Sequence, residues 1–341
     1  MLPKTRYQGS KSKLIKEISL IIKKTLPQAS SILDVFGGTG MVSLFLQQQG
    51  YSVIYNDIMK YNAWIANALL NPVRVTMDDL LKISEDIIVP TFITDTFRDI
   101  YYTEEENQHL DIMIHSIKSI EPSKQSTLFY LLCQACLIKR PYNLFHRKNI
   151  EMRMKDVERS FGNKVSWDTS FIKHMTKFMN ELEKCVSPRN IRTTVLTLSY
   201  EEFKQHEDSW SLVDTVYMDP PYLKKDKPNH DYIDNYHFLE GIARYDEWHL
   251  LYDKSVPHHG FTKEAKSRYT ITSIKELFET CFQTFREKNI VVSYRNDGFP
   301  TIEWIMEELG KYKTHVIRHN MKYQYALSKK DVDEVLLIGY N

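Results

Sequence analysis

Between residues 30 and 71 the sequence switches twice from a short apolar run to a longer helix-like stretch, with a glycine cluster at the first junction. SSILDVF (30–36) runs into Gly37, Gly38 and Gly40 and then into MVSLFLQQQG, and SVIYND (52–57) is followed by KYNAWIANALL. Strand and helix alternating at this spacing imply a parallel sheet, because parallel strands need a long crossover whereas antiparallel ones need only a turn. Strand patterns return at DTVYMD (214–219), NIVVSYRND, KTHVIRH and DEVLLIGYN, with a helix-like TIEWIMEELGKY among them. Residues 72–195 read instead as long helical stretches. The expected fold is therefore α/β: an open sheet with helices on both faces, formed by residues 1–71 and 196–341, and interrupted by a mainly helical domain at 72–195. Its last strands can pair antiparallel, which suits a mixed sheet edge.

A chain of 341 residues with 42% hydrophobic content can bury a substantial core. No run of 18 apolar residues occurs, and the basic start MLPKTRYQGSKSK has no apolar stretch behind it. A cytoplasmic protein without membrane association is expected. Four cysteines are too few and too scattered for a disulfide framework, and Cys133 and Cys136 share one side of a helical apolar run, as core residues do. No metal site is expected: His258 and His259 are adjacent but lack ligand spacing around them. The net charge of +1 is uninformative, but its distribution is uneven. Residues 1–24 carry seven Lys or Arg against Glu17, and residues 139–164 carry eight against three acids. Such segregation suits a basic face for a polyanion, and equally a solvated charged surface.

Glycine is scarce, eleven residues in the whole chain, yet three of them sit where the first strand turns into a helix. There they let backbone pass close to a ligand, and the helix start offers free N–H groups. The spacing Asp34, Phe36, Gly38, Gly40 departs from the G-x-G-x-x-G of a pyrophosphate loop. A leading carboxylate repels phosphate and attracts a cation, which fits the ammonium and sulfonium of S-adenosylmethionine. Asp57 closes the second strand, where a carboxylate can accept hydrogen bonds from ribose hydroxyls.

Asp219, Pro220, Pro221 and Tyr222 follow another strand, so they should lie at the carboxyl edge of the sheet beside the glycine loop. An exocyclic amine conjugated to a nucleobase is a poor nucleophile. The Asp219 carboxylate and the Pro220 carbonyl can each accept one of its N–H groups and free the lone pair for a methyl donor. Prolines stiffen the loop and remove competing donors, and Tyr222 supplies a ring for stacking. A base inside a duplex must be flipped out to reach such a pocket.

In this motif order the chain resembles the D12 class of adenine-N6 DNA methyltransferases, the group that includes Dam-like enzymes. RYQGSK (6–11) is similar to that family's N-terminal cofactor motif, which maps onto Tyr7 and Lys11. DVFGGTG with Asp57 matches its cofactor motifs, and DPPY its catalytic loop. The resemblance implies a Rossmann-like methyltransferase sheet, S-adenosylmethionine as cofactor, double-stranded DNA as substrate, and a target-recognition role for the helical insertion. KRPYNLFHRKNIEMRM and RSFGNK resemble blocks of modification enzymes of type IIS restriction systems, implying a cognate endonuclease that acts on the same site without a stable complex. Many relatives carry an acid before the catalytic strand, where LTLSYEEF offers Ser199, Glu201 and Glu202.

Arg140, Asn143, His146, Arg147, Lys148 and Arg153 are the expected DNA contacts, combining forked and point donors with Tyr142 and Phe145 between them. The stretch LKKDKPNHDYIDNYHF after the catalytic loop has no clear period and reads as a mobile loop or a surface connection. Three alternatives stay open on the residues alone: cytosine-N4 or RNA methylation, a DNA-binding relative without activity, and a nicotinamide dehydrogenase, which the missing G-x-G-x-x-G disfavours.

Overall fold

The computed structural model describes residues 3, 11–141, 144–155, 163–186, 192–223, 232–266, 270–321 and 333–341. It separates into two compact units, a sheet unit (9–66, 191–231 and 267–341) and a helical unit (1–8, 67–190 and 232–266).

The sheet unit holds seven strands: β1 (Ser31–Asp34), β2 (Ser52–Asn56), β3 (Thr194–Leu196), β4 (Thr215–Met218), β5 (Asn289–Arg295), β6 (His315–Met321) and β7 (Glu334–Tyr340). Their order is β3-β2-β1-β4-β5-β7-β6, with the first five parallel and β7 antiparallel to both β5 and β6. This is the Rossmann-like mixed sheet expected from the sequence, with one strand more. β3 is three residues long and incompletely buried at the sheet edge, so TVL carried no strand pattern of its own.

β4 is buried at every position and β5 at all but its ends, as in strands covered on both faces. On one face Leu33, Val216, Met218, Ile290, Val292, Val335 and Leu337 pack with Leu277, Phe278, Phe282, Ile305 and Leu309 from the helices Ile271–Thr284 and Ile302–Gly310. Polar side chains fix the register where β1 begins and ends. Asp214 accepts hydrogen bonds from the backbone N–H and hydroxyl of both Ser30 and Ser31, at 2.8–3.0 Å. At the opposite edge the Asn56 amide donates to the carbonyls of Val35 (2.9 Å) and Leu198 (3.0 Å) and accepts from Leu198 N–H (2.7 Å), tying the ends of β1, β2 and β3 together.

The helical unit contains the helices Met77–Lys82, Phe92–Thr96, Glu104–Ser119, Pro122–Ile138, Ile150–Met154, Asn163–Asp168, Phe171–Cys185 and Tyr232–Ala243. The last is a correction to the expected boundaries. The sequence pattern places residues 232–266 in the sheet domain, with a loop across the start of the segment, but from Tyr232 the chain is helical and belongs to the helical unit. Phe238 is the reason. It stacks on Phe145 at 5.1 Å and meets Phe97, Tyr101, Tyr102 and Trp248 edge-on or tilted within 5.6 Å. The sequence hid this helix because it is buried nearly all round, with His237 and Glu240 inside among the apolar residues. Gly241 is required by packing, since a Cβ there would lie 2.0 Å from the Trp248 indole. Cys133 and Cys136 are free and buried in Pro122–Ile138. No helix among the described residues is long and apolar enough to cross a membrane.

Glu106 organises the charges of this unit. It closes the capping box of Glu104–Ser119 by accepting from Thr103 N–H at 3.0 Å, and it also takes the Arg153 guanidinium (2.7 and 2.8 Å) and the Lys139 ammonium (2.8 Å). Burial alone pushes a carboxyl up, but the two cations outweigh it and hold Glu106 below the ordinary range. Truncating one member of such a cluster strands the others. Glu106→Ala is expected to lower stability by about 3–5 kcal/mol, read from the urea midpoint. This contribution is fully present above the usual Glu range and fades as pH falls through it.

Candidate active site

β1 leads straight into the glycine turn. Gly38 and Gly40 adopt φ values of 51° and 72°, which an L side chain rarely tolerates. Gly37 has a different reason: a Cβ there would stand 2.2 Å from the Tyr55 ring, against which the turn lies flat. The Tyr55 hydroxyl donates to the Gly38 carbonyl. Gly38 N–H in turn donates to Asp57 at 2.9 Å, and Asp57 also accepts from Met59 N–H (2.8 Å) and the Asn62 amide (3.1 Å). Asp57 therefore braces the turn from β2, and those three bonds leave room on Oδ2 for a further donor. Phe36 is partly buried against the core.

Asp34 is the less satisfied acid. One oxygen accepts from the Ser43 hydroxyl at 2.6 Å, while Oδ1 is buried without a partner among the described residues. Burial pushes its carboxyl up to about 7, and the charges of Asp219 and Asp57 add to the effect, against the Ser43 bond. A cation reaching Oδ1 would relieve all three influences.

β4 pairs with β1 in parallel, Asp34 opposite Tyr217, so the acidic proline loop opens at the same sheet edge as the glycine turn. Asp219 accepts from the Tyr222 hydroxyl at 2.5 Å and from the Lys11 ammonium at 2.9 Å. Burial pushes Asp219 up to about 6, with Lys11 pulling down and Glu334 pushing further up. Tyr222 packs edge-on against Tyr294, with ring centroids 5.2 Å apart. Beyond it, Leu223 pairs with Phe299, whose N–H donates to the Leu223 carbonyl at 2.9 Å.

Two more charged side chains meet Asp219 and Tyr222. Lys11, expected at the cofactor, has its ammonium on Asp219, over the Tyr222 ring at 4.5 Å, and 3.6 Å from Glu334. Glu334 was not anticipated at all. It opens β7 at this edge and is fully buried. Its only sequence signal is an acid heading the apolar run VLLIGY, which is weak evidence unless burial is known. Tyr7 lies outside the described residues. Before β4, Glu202 accepts from Ser199 N–H at 2.7 Å and is exposed, as is Glu201.

The profile described as "D12 class N6 adenine-specific DNA methyltransferase" matches residues 7–295. The chain belongs to this family. It is 28% identical over 229 residues to the type II methyltransferase M2.HphI of Haemophilus parahaemolyticus, covering 64% of this chain and 66% of that protein. With the modification methylase LlaI of Lactococcus lactis subsp. lactis it shares 24% identity over 332 residues, covering 89% of this chain but only 48% of LlaI. With the type II methyltransferase M.CviAII of Paramecium bursaria Chlorella virus 1 it shares 25% over 360 residues, 98% of each chain. The chain thus spans less than two thirds of the first two relatives and nearly all of the third.

For this D12-class chain the segment expected to touch DNA divides in two. Arg153 is buried and held by Glu106, with further bonds to the carbonyls of Tyr101 (3.1 Å) and Trp167 (3.2 Å), so its guanidinium is structural. Arg140 is also buried, its guanidinium carbon 4.2 Å from the centre of the Tyr101 ring and 3.8 Å from that of Phe145. Burial pushes it down to about 10, and none of its nitrogens finds a hydrogen-bond partner among the described residues. Both are corrections: a run rich in Lys and Arg reads as a solvated face, but here two of its arginines, with Lys139, lie inside the helical unit. His146 is half-buried, Arg147 and Lys148 are exposed, and Asn143 lies outside the described residues.

The Tyr55 contact gives a direct test of the turn. Gly37→Ala is expected to cost about 1–3 kcal/mol through overpacking, whereas Gly310→Ala, with open space around its Cβ, should be neutral or mildly stabilising. Equal urea midpoints for the two variants would contradict the packing of Tyr55 on the turn.

Proposed function

We propose that this chain transfers a methyl group from S-adenosylmethionine to N6 of a flipped-out adenine in double-stranded DNA. The observation that carries the proposal is the shared sheet edge: Asp34, with a buried oxygen lacking a partner among the described residues, stands in electrostatic reach of Asp219 of the D-P-P-Y loop. The cofactor, when bound, supplies an electrophilic methyl on a sulfonium. Asp34 Oδ1 would receive its cationic part beside the glycine turn, and the open position on Asp57 Oδ2 would receive a ribose hydroxyl. Asp219 and the Pro220 carbonyl would accept the two N–H groups of the adenine amine, holding its lone pair toward the methyl, while Pro221 stiffens the loop. Tyr222 would offer its ring to the extruded base, offsetting part of the few kcal/mol that flipping costs.

Arg147 and Lys148, exposed on the helical unit, are the side chains best suited to DNA phosphates, with His146 beside them. The helical unit then serves target recognition. Its relatives' names support a modification role, with a cognate restriction endonuclease acting on the same site in the cytoplasm.

Transfer of labelled methyl groups to duplex DNA, followed by nucleoside chromatography, tests the reaction. N6-methyladenine is the expected sole product, and Asp219→Ala should lower kcat at least about 100- to 1000-fold while cofactor still binds. N4-methylcytosine, or a mutant as active as wild type, would defeat the proposal.

A second expectation concerns pH. A cation favours ionised Asp34, whose carboxyl stands near 7 without ligand. Below that pH the carboxyl must release a proton on binding, so S-adenosylmethionine affinity should weaken by up to about tenfold per pH unit. Calorimetry in buffers of different ionisation enthalpy should detect the released proton, and Asp34→Asn should remove the dependence.

A further inference from the structure

Lys11, Glu334 and the pair Asp219 and Tyr222 of one loop come from three separated parts of the chain and meet at one point. The Lys11 ammonium lies 2.9 Å from Asp219 Oδ1 and 3.6 Å from Glu334 Oε1, and the Tyr222 hydroxyl lies 2.5 Å from Asp219 Oδ1 and 3.4 Å from Glu334 Oε2. The ammonium also sits over the face of the Tyr222 ring, 4.5 Å from its centre. It thus covers both features that the proposed reaction assigns to adenine, the carboxylate oxygen and the ring face.

Lys11 and Glu334 are both buried, Glu334 completely. An ammonium in such a place cannot simply withdraw from Asp219, because leaving a carboxylate without reaching water or another acceptor strands a buried charge. Among the described residues Glu334 is an acceptor within reach.

We propose that Glu334 is a positioning residue for methyl transfer: it is the second seat of the Lys11 ammonium, taking it from Asp219 and Tyr222 when the target amine arrives. The proposal rests on reading Asp219 and Tyr222 as the adenine seat. In the free protein Lys11 holds that seat with a nitrogen donor of its own, and a small swing of its side chain toward Glu334 vacates it without exposing or stranding the charge.

The groups facing Asp219 are Lys11, Tyr222, Asp34 from β1, Tyr217 from β4, Tyr294 from β5 and Glu334 from β7. After burial, the negative charge of Glu334 is one of the influences that keep Asp219 high. Its removal favours ionised Asp219 and should shift the acid limb of activity to lower pH.

The test uses the full chain with saturating S-adenosylmethionine, following kcat, and kcat/KM for duplex DNA, across pH. Glu334→Gln should lower kcat by about 10- to 100-fold, leave cofactor affinity within about threefold, and move the acid limb of kcat/KM downward. Glu334→Asp should keep the wild-type limb with a smaller loss of rate. Lys11→Met removes the ammonium that needs a second seat, so adding Glu334→Gln to it should cost little more. The proposal is overturned if Glu334→Gln matches wild type in rate and limb, or if it costs as much with Lys11→Met as without it, the result of a merely structural role. Failure of the underlying reaction would look different: wild type itself would then form no N6-methyladenine.

Discussion

The parallel pairing of β1 with β4 brings two desolvated carboxylates to the same edge of the sheet. Asp34 ends one strand and Asp219 follows the other, so the backbone ladder holds them together although their charges repel. The ladder is secured at both ends of β1, by Asp214 on Ser30 and Ser31 and by Asn56 on Val35 and Leu198. Asp57 and Glu334 add acids to that edge, against the ammonium of Lys11. An edge so short of positive charge receives cations and N–H donors, and this bias is built before any ligand is present.

Buried charge is treated in opposite ways in the two units. Around Glu106 most of the strong donors are met: Lys139, Arg153 and the Thr103 backbone use the carboxylate, and Lys139 and the terminal nitrogens of Arg153 finish on the carbonyls of Trp167 and Thr169 or Tyr101 and Trp167. Such a network specifies one arrangement. At the sheet edge, by contrast, Asp34 keeps an oxygen unmet among the described residues and Lys11 lies within reach of two acids. Incomplete satisfaction costs stability, and it belongs where a ligand can complete it. Arg140 is a third case, its charge resting on the faces of Tyr101 and Phe145 with no hydrogen-bond partner among the described residues.

Local pattern carried much of the fold because the elements that build the sheet obey simple periodicities. β1, β2, β4 and β5 are short β-branched runs ending in turn residues or acids, and the helices after β1 and β2 follow directly. β3 escaped because three partly exposed residues leave no pattern. The helix Tyr232–Ala243 escaped because burial on nearly all sides erases amphipathic spacing. Buried Arg140 and Arg153 read as surface in the sequence because a linear charge count cannot distinguish a solvated run from one folded inward.

The sequence by itself determined which chemistry the chain carries: the glycine turn, Asp34, Asp57 and the D-P-P-Y loop are contiguous or strand-end features whose meaning depends on neighbours along the chain. Tertiary structure alone decided which distant side chains share that edge. Lys11 lies 208 positions before Asp219 and Glu334 lies 112 after Tyr222, and no local propensity records their meeting. Strand order and burial set those distances, and through them the company that each charge keeps.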